Sequence, residues 1–377
     1  MKNLFNAAGF ASAVMVFLFI CLGLGTVNCA GGLPGTTTWI RQFGTSSNTK
    51  ADGIYADATG VYMAGYTDGT LPGQKNAGGQ DAFVRKYNAI GKELWTRQFG
   101  TSSYDEAWGI YADSTGVYVA GTTSGILPGQ KNAGGRDAFV RKYDASGKEL
   151  WTQQFGTSSE DEAFAISADA MGVYVAGSTD GTLPGQKNTG VLDAFVRKYN
   201  ASGKELWTQQ FGTSSYDEAR GIYADSTGVY VAGTTADTFS GQNSTGGADA
   251  FVRKYNAIGK ELWMQQFGTS SVDNANSISA DATGVYVAGS TSGILPGQQN
   301  AGGRDAFVRK YDVIGKELWT QQFGTSSEDE AFAISADATG VYVAGSTSGI
   351  LQGQQNAGIL DAFVVSGTKS LIILQVP

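Results

Sequence analysis

The stretch Gly147–Gly156 reads G-K-E-L-W-T-Q-Q-F-G and is followed by T-S-S. Its tryptophan returns every 56 residues along the chain, with no insertion or deletion between copies. An internal period of this length indicates a repeat architecture, in which each unit buries its apolar surface against its neighbours. The residues that mark the repeat are Trp39, Trp95, Trp151, Trp207, Trp263 and Trp319.

One repeat unit contains four runs of β-forming residues. In the second copy, Asp105–Asp113 and Val117–Gly121 flank a short Gly-containing turn, which is the pattern of a hairpin. A long Gly-rich loop, Thr122–Arg136, leads to a third run at Asp137–Tyr143, and a turn then leads to the fourth run, Lys148–Phe155. The second and third runs contain consecutive apolar residues, which indicates sheets covered on both faces by neighbouring units.

The two ends of the array predict how it closes. The chain carries six copies of the first three runs, but only five fourth runs follow a third, and an unaccompanied fourth run begins the array at Thr36–Gly44. We therefore predict an all-β fold, a β-propeller of six four-stranded blades, with residues 36–377 forming a single domain. The Trp39 strand is expected to close the ring by pairing with the sheet that contains Phe363, which would remove two open sheet edges. The alternative occupant of that edge is the tail, Leu371–Val376.

The repeat resembles a known family. The order D-A-F-V-R-K-Y-x-A-x-G-K-E-L-W-T-Q-Q-F-G-T-S-S, then D-E-A, then A-D-x-T-G-V-Y-V-A-G, is similar to the bacterial β-propeller repeat called the SBBP repeat, from Thr37 to about Val365. The resemblance implies four-stranded blades and an exported or surface-associated bacterial protein. The family's name refers to seven blades, whereas the copies counted here predict six.

The shorter string G-K-E-L-W is also similar to the tryptophan-docking repeat of propellers that hold a quinone cofactor (PQQ). That resemblance implies an enzyme, but such enzymes use ligands, for example adjacent cysteines, that the repeats lack. We interpret the repeated tryptophans as blade-to-blade packing, because a buried Trp carries a large apolar area. We accordingly predict that the protein binds no cofactor.

The first thirty residues read as an export signal. Lys2 supplies a positive charge at the start, Leu4–Leu24 is mostly apolar, and small and polar residues follow. We predict a signal peptide over residues 1–30 and hence a secreted or cell-envelope location. One alternative is an uncleaved membrane anchor, and another is a lipoprotein acylated at Cys29.

Composition argues against several kinds of chemistry. The chain has no histidine, and its two cysteines, Cys21 and Cys29, both precede the repeats. The commonest general base, the commonest zinc ligand and a disulfide framework are therefore missing. A formal net charge of −8, without a basic stripe, argues against nucleic-acid binding. We predict no metal site, no catalytic residue, and membrane contact only through an uncleaved N-terminal segment.

An acidic pair recurs at the start of the strand expected to be innermost. If these first strands line a central channel, the carboxylates form an acidic ring at its mouth, which would favour cations or a basic partner. The alternative interpretation is that they are solvated turn residues. The candidate ligand-binding residues are Asp105, Glu106, Asp161, Glu162, Asp217, Glu218, Asp273, Asp329 and Glu330.

Together these features predict an exported, non-catalytic β-propeller that acts as a binding or structural scaffold of the cell envelope or extracellular space. The long loops are expected to share one face with the links between blades, and binding residues usually lie on long loops carried by a rigid scaffold. We expect an unidentified protein or glycan partner on that long-loop face. A carbohydrate-binding propeller and a quinone-cofactor propeller enzyme are the alternatives.

Overall fold

The computed structural model describes residues 39–355 and 357–369, and every regular element among them is a β-strand. The strands form six antiparallel sheets, one for each copy of the repeat. The prediction of an all-β propeller with six blades is therefore confirmed. The proposed signal peptide and the tail Leu371–Val376 lie outside the described residues.

The first three blades each contain four strands. Blade 1 comprises β1 (Thr49–Asp57), β2 (Gly60–Thr67), β3 (Asp81–Tyr87) and β4 (Glu93–Phe99). Blade 2 comprises β5 (Asp105–Asp113), β6 (Gly116–Thr123), β7 (Asp137–Tyr143) and β8 (Glu149–Phe155). Blade 3 comprises β9 (Asp161–Asp169), β10 (Gly172–Thr179), β11 (Asp193–Tyr199) and β12 (Glu205–Phe211).

Blades 4 and 5 repeat this pattern, and blade 6 is shorter. Blade 4 comprises β13 (Asp217–Asp225), β14 (Gly228–Thr235), β15 (Asp249–Tyr255) and β16 (Glu261–Phe267). Blade 5 comprises β17 (Asp273–Asp281), β18 (Gly284–Thr291), β19 (Asp305–Tyr311) and β20 (Glu317–Phe323). Blade 6 has three strands among the described residues, namely β21 (Asp329–Ala336), β22 (Val341–Thr347) and β23 (Asp361–Gly367).

Each blade is a meander in which consecutive strands pair in antiparallel register. In blade 2 the hairpin between the first two strands turns on Asp113, whose Oδ1 accepts the backbone N–H and the hydroxyl of Thr115, each at 2.7 Å. Asp, Ser and Thr side chains favour such turns because they satisfy backbone donors locally. The hairpin predicted around this turn is confirmed by the pairing of β5 with β6.

The middle strands are covered on both faces by the neighbouring blades. Every residue of β7 is buried, and this includes Arg141 and Lys142. The Arg141 guanidinium lies 3.9 Å from the centre of the Phe99 ring of the preceding blade, while the Lys142 ammonium lies 4.8 Å from the Tyr118 ring. Stacking on aromatic faces allows these cations to be buried in a sheet core.

The motif tryptophan joins each blade to the next one. The indole N–H of Trp95 donates to the carbonyl oxygen of Ala145 at 3.1 Å, and its ring lies over Gly147 in the same turn of blade 2. Gly147 has a φ of +79°, and a Cβ added there would lie 2.6 Å from the indole. A side chain at this position would meet both the left-handed backbone conformation and the indole ring. Corresponding indole N–H bonds are made by Trp39, Trp151, Trp207 and Trp263.

The prediction that the Trp39 strand closes the ring is corrected by the structure. Blade 6 has three strands, and residues 39–44 form no strand and do not pair with β23. Instead the Trp39 indole donates to Ala89 at 3.0 Å, and Arg41 donates to Gly91 at 2.7 Å, which are the contacts that each motif makes with the following blade. Within the part of the chain that the structure describes, these contacts of the segment are with blade 1.

The physical reason for this correction lies in the first strands. Neighbouring first strands pack side by side from β1 through β21, but β21 makes no comparable contact with β1 among the described residues. In agreement, β1 contains no fully buried residue, whereas β5 and β9 each bury about half of theirs. Because blades 6 and 1 do not pack against each other through β21 and β1, the Trp39 segment, which is bound to blade 1, does not reach the free edge of β23.

Candidate functional site at the innermost strands

The structure separates the predicted acidic pairs into buried and surface members. The aspartates are fully buried, with 0–1% exposure, so they do not lie on the surface of a channel mouth. The glutamates are only part buried. The buried members are Asp105, Asp161, Asp217, Asp273 and Asp329.

Each buried aspartate holds the link between two blades. Asp161 Oδ2 accepts the backbone N–H of Thr157 at 2.5 Å and its hydroxyl at 3.0 Å. A second carboxylate, that of Asp137, lies close by, and a Cβ added to Gly156 would lie 2.6 Å from an oxygen of each aspartate. Burial raises the pKa of Asp161, and the neighbouring Asp137 contributes in the same direction.

The carboxylate at the start of the third strand, Asp137 in blade 2, lacks one hydrogen-bond donor in some of the blades. Asp137 accepts the backbone N–H of Ala133 and the side-chain amide of Gln154 on one oxygen, while its buried Oδ1 has no hydrogen-bond partner. In blade 3 the residue at the alanine position is Thr189, whose hydroxyl donates to Asp193 Oδ1 at 2.7 Å. Blades 2 and 3 therefore contain the same site without and with this hydroxyl donor.

A β-bulge interrupts every first strand at the same position. In β5 the register skips between Ala107 and Gly109, so Trp108 is the extra residue. Bulges bend a strand and re-aim a side chain, and they are frequent next to functional sites. All six extra residues are exposed or part exposed. We call this set the bulge row, and its members are Asp52, Trp108, Phe164, Arg220, Asn276 and Phe332.

The bulge row is where the repeats differ most in chemistry. The string D-A-F-V-R-K-Y is the same in blades 1 to 5, yet the bulge row contains five residue types among six positions. Position-by-position comparison of the six copies reveals this contrast from the sequence alone. The bulge row was not among the predicted site residues, because those were chosen as residues that recur in the repeats, whereas the bulge row is recognisable only by its variation.

Two neighbouring members of the bulge row are aromatic and stack on each other. The rings of Trp108 and Phe164 have centroids 5.2 Å apart and planes inclined by 27°. Both side chains are part exposed. Trp108 is also the one tryptophan of the seven that does not belong to the repeated motif, so it has no part in the packing between blades described above.

Ion pairs neutralise most of the charge around the bulge row. Arg136 Nη1 lies 2.6 Å from Glu162 Oε1, and Arg304 makes the same contact with Glu330 at 2.7 Å. Arg220, itself in the bulge row, pairs with Glu218. The glutamates predicted to attract cations therefore already have basic partners, with the exception of Glu106.

The carboxyl of Glu106 is held among opposing influences. Burial raises its pKa and the nearby Asp52 carboxylate acts in the same direction, whereas the charges of Arg136 and Lys50 and hydrogen bonding from Trp108 act to lower it. Asp52, on the neighbouring strand, lies 2.6 Å from the Lys50 ammonium. Glu106 thus lies beside the aromatic pair as a hydrogen-bond acceptor whose surroundings contain both signs of charge.

Two further observations concern the described residues. No group of three or more acidic, cysteine or histidine side chains there is arranged to hold a metal ion. No helix in this part of the chain has the length and apolar character needed to span a bilayer.

Comparisons with known proteins give distant relatives. The regulatory protein FlaEY of Caulobacter vibrioides is 26% identical over 380 residues, a match that covers 88% of this chain and 39% of that protein. An uncharacterized WD repeat-containing protein of Acanthamoeba polyphaga mimivirus is 26% identical over 255 residues, covering 54% of this chain and 18% of that protein. The chain thus spans less than half the length of these curated relatives. No family model matches the chain.

Solved structures with a similar arrangement of strands differ widely from this chain in sequence. The WD40 β-propeller domain of Doa1 is 11% identical, with a TM-score of 0.41 over 87% of this chain and 97% of that one. A neuraminidase-like protein of A/little yellow-shouldered bat/Guatemala is 10% identical, with a TM-score of 0.48 over 87% of this chain and 96% of that one. These likenesses concern the fold alone.

The missing donor at Asp137 leads to a stability prediction. Ala133→Thr should place a hydroxyl near the unpartnered Oδ1, as Thr189 does in blade 3, and raise the free energy of unfolding by about 1 kcal/mol, the usual net value of one hydrogen bond. Thr189→Ala should lower it by a similar amount. Urea unfolding of the two variants checks both signs, and equal effects of the same sign would contradict this reading of the site.

The raised pKa of Asp161 leads to a prediction on pH. A carboxyl whose pKa is raised by folding binds its proton more tightly in the folded state, so its contribution to stability is greatest in acid and is lost as pH rises through the folded pKa. Asp161→Asn keeps an acceptor for Thr157 and removes the titration. The free energy of unfolding of the variant, relative to that of wild type, should therefore be highest at about pH 7 and lowest at about pH 4.

Urea unfolding of both proteins at the two pH values measures this difference. The same substitution at Asp68, which is exposed just after β2, serves as a control for the loss of a surface charge. A stability difference between wild type and Asp161→Asn that stays constant with pH would show that Asp161 does not titrate within the buried pair.

Proposed function

We propose that the protein is an exported, non-catalytic β-propeller that acts as a binding scaffold of the cell envelope or extracellular space. The observation that carries this proposal is the bulge row, where nearly invariant blades present five types of side chain at six positions on the innermost strands. A repeated frame keeps these positions rigid, and variation at one position per blade gives the surface its specificity. The export signal read in residues 1–30 supports the location.

The proposal of a non-catalytic role rests on the chemistry of the chain. The sequence contains no histidine, and the glutamates of three blades are paired with arginines near the bulge row. The regulatory role named for the Caulobacter relative is compatible with a protein that binds rather than converts its partner.

The bulge row also refines where the partner should bind. Trp108 is the fourth of the nine residues of β5, so it lies on the half of that strand that follows the link from blade 1. The bulge row is thus on the half of the innermost strands nearer the long-loop face, which is where a protein or glycan partner is expected. The contact surface proposed here is the inner rim of that face.

Hydrogen–deuterium exchange tests this assignment. The full chain is incubated separately with peptidoglycan, an extract of surface polysaccharides and a detergent extract of envelope proteins. At least one of these should slow exchange in β5, β9 and β13, the strands that carry Trp108, Phe164 and Arg220. Protection confined to the outer fourth strands, or none with any of the three materials, would overturn the proposal.

A matched pair of variants sharpens the test. Asn276 shows that the bulge accepts asparagine, so a variant with Trp108→Asn, Phe164→Asn and Phe332→Asn should fold and lose the protection. The control carries Leu94→Asn, Leu150→Asn and Leu206→Asn on the outer strands, where the leucines are about half exposed. The control should retain the protection.

A further inference from the structure

The aromatic part of the bulge row has the make-up of a small-ligand site. Trp108 and Phe164 present stacked, part-exposed rings at the point where the strands are bent by bulges. Ligand sites typically combine aromatic surface with a few well-placed polar groups. The other members of the bulge row, Asp52, Arg220 and Asn276, are polar, and Phe332 has no aromatic neighbour on the adjacent bulge.

Hydrogen-bonding groups border the two rings. Glu106 precedes Trp108 on the same strand, and Glu162 precedes Phe164 on the next. Arg136 bonds Glu162 at 2.6 Å and also acts on the carboxyl of Glu106. Carboxylate oxygens accept hydrogen bonds from hydroxyls and a guanidinium donates to them, so the border can satisfy a ligand that carries many hydroxyl groups.

The charges favour a neutral ligand over a cationic one. The carboxylates of Asp52 and Glu162 are occupied by Lys50 and Arg136. Arg136 and Lys50 also act on Glu106 and offset part of its negative charge. A neutral polyhydroxylated ring needs no unpaired carboxylate and could use donors and acceptors of both ion pairs.

We propose that Trp108 and Phe164 form a stacking surface for a neutral sugar ring, with Glu106, Glu162 and Arg136 bonding its hydroxyl groups. The apolar C–H face of the sugar lies on the aromatic surface, and its hydroxyls replace water at the charged border. This inference rests on the proposed function, because it names the ligand class for part of the bulge row. The site occurs once per chain, since only blades 2 and 3 place aromatic residues at adjacent bulges.

Calorimetric titration of the full chain with neutral oligosaccharides tests the inference. The probes are oligomers of glucose, xylose, mannose, galactose and N-acetylglucosamine, with tetramethylammonium chloride and arginine amide as cationic alternatives. At least one neutral oligosaccharide should bind, with one site per chain, and Trp108→Asn should weaken it by tenfold or more. Leu150→Asn, on an outer strand, should leave the affinity unchanged.

Each other outcome overturns the inference. Absence of binding by all five neutral series, binding of the cations alone, or an affinity unaffected by Trp108→Asn in a folded protein would each reject a sugar site here. Circular dichroism and the unfolding midpoint establish that the variant is folded, and Phe164→Asn provides a second variant if Trp108→Asn is not. If envelope material protects the bulge row while no sugar binds, the proposed scaffold function stands and the sugar site does not.

Discussion

The contact between a tryptophan of one blade and a glycine of the next is the interaction on which the structure depends. The indole of Trp95 lies over Gly147 and donates to Ala145 in the same turn, and three other blade junctions and the Trp39 segment repeat the arrangement. A blade of four short strands cannot bury both of its faces alone, so its stability comes from such junctions. Where the junction elements are missing the array weakens. Blade 6 carries V-S-G where the others carry R-K-Y, and Val364 of β23 is 59% exposed.

The same packing explains why the candidate site is well placed. The first strands lie against one another, with Gly109 fitted closely to the backbone at Ala165, so the bulge residues rise from a continuous inner wall. The buried aspartates fix the links that lead into these strands through hydrogen bonds to the preceding threonines. Rigid support of this kind lowers the entropy that a binding residue loses when its ligand arrives. The strands that pack the blades together are therefore nearly invariant, and the side chains that vary most are those of the bulge row.

Much of the fold follows from the spacing of residues in the sequence. The third strands begin at the predicted aspartates, such as Asp81 and Asp137, because short runs of β-forming residues between Gly-rich turns leave little choice of boundary. The sequence could not decide where the Trp39 segment binds. The side chains of the Trp motif contact the following blade, whereas its backbone pairs with the third strand of its own blade, and the repeat pattern predicts both contacts equally. The burial of Asp161 could have been read from T-S-S-E-D, since a threonine four residues earlier can donate to it. The bulges could not be predicted, because the shift in the inward–outward alternation that an extra residue causes falls at Gly109 and Ile110 in β5, and a glycine carries no hydrophobic signal.

The central claim is that the indole and the turn glycine hold neighbouring blades together. It is tested most directly by the free energy of unfolding of Gly147→Ala and Gly129→Ala, which share a left-handed backbone, with φ of +79° and +75°. A Cβ at Gly129 meets nothing within 4 Å, whereas one at Gly147 meets the Trp95 ring at 2.6 Å. Gly129→Ala should cost about 1–2 kcal/mol from the backbone alone, and Gly147→Ala should cost about 1–3 kcal/mol more because the indole is displaced. Equal losses in the two variants would contradict the account.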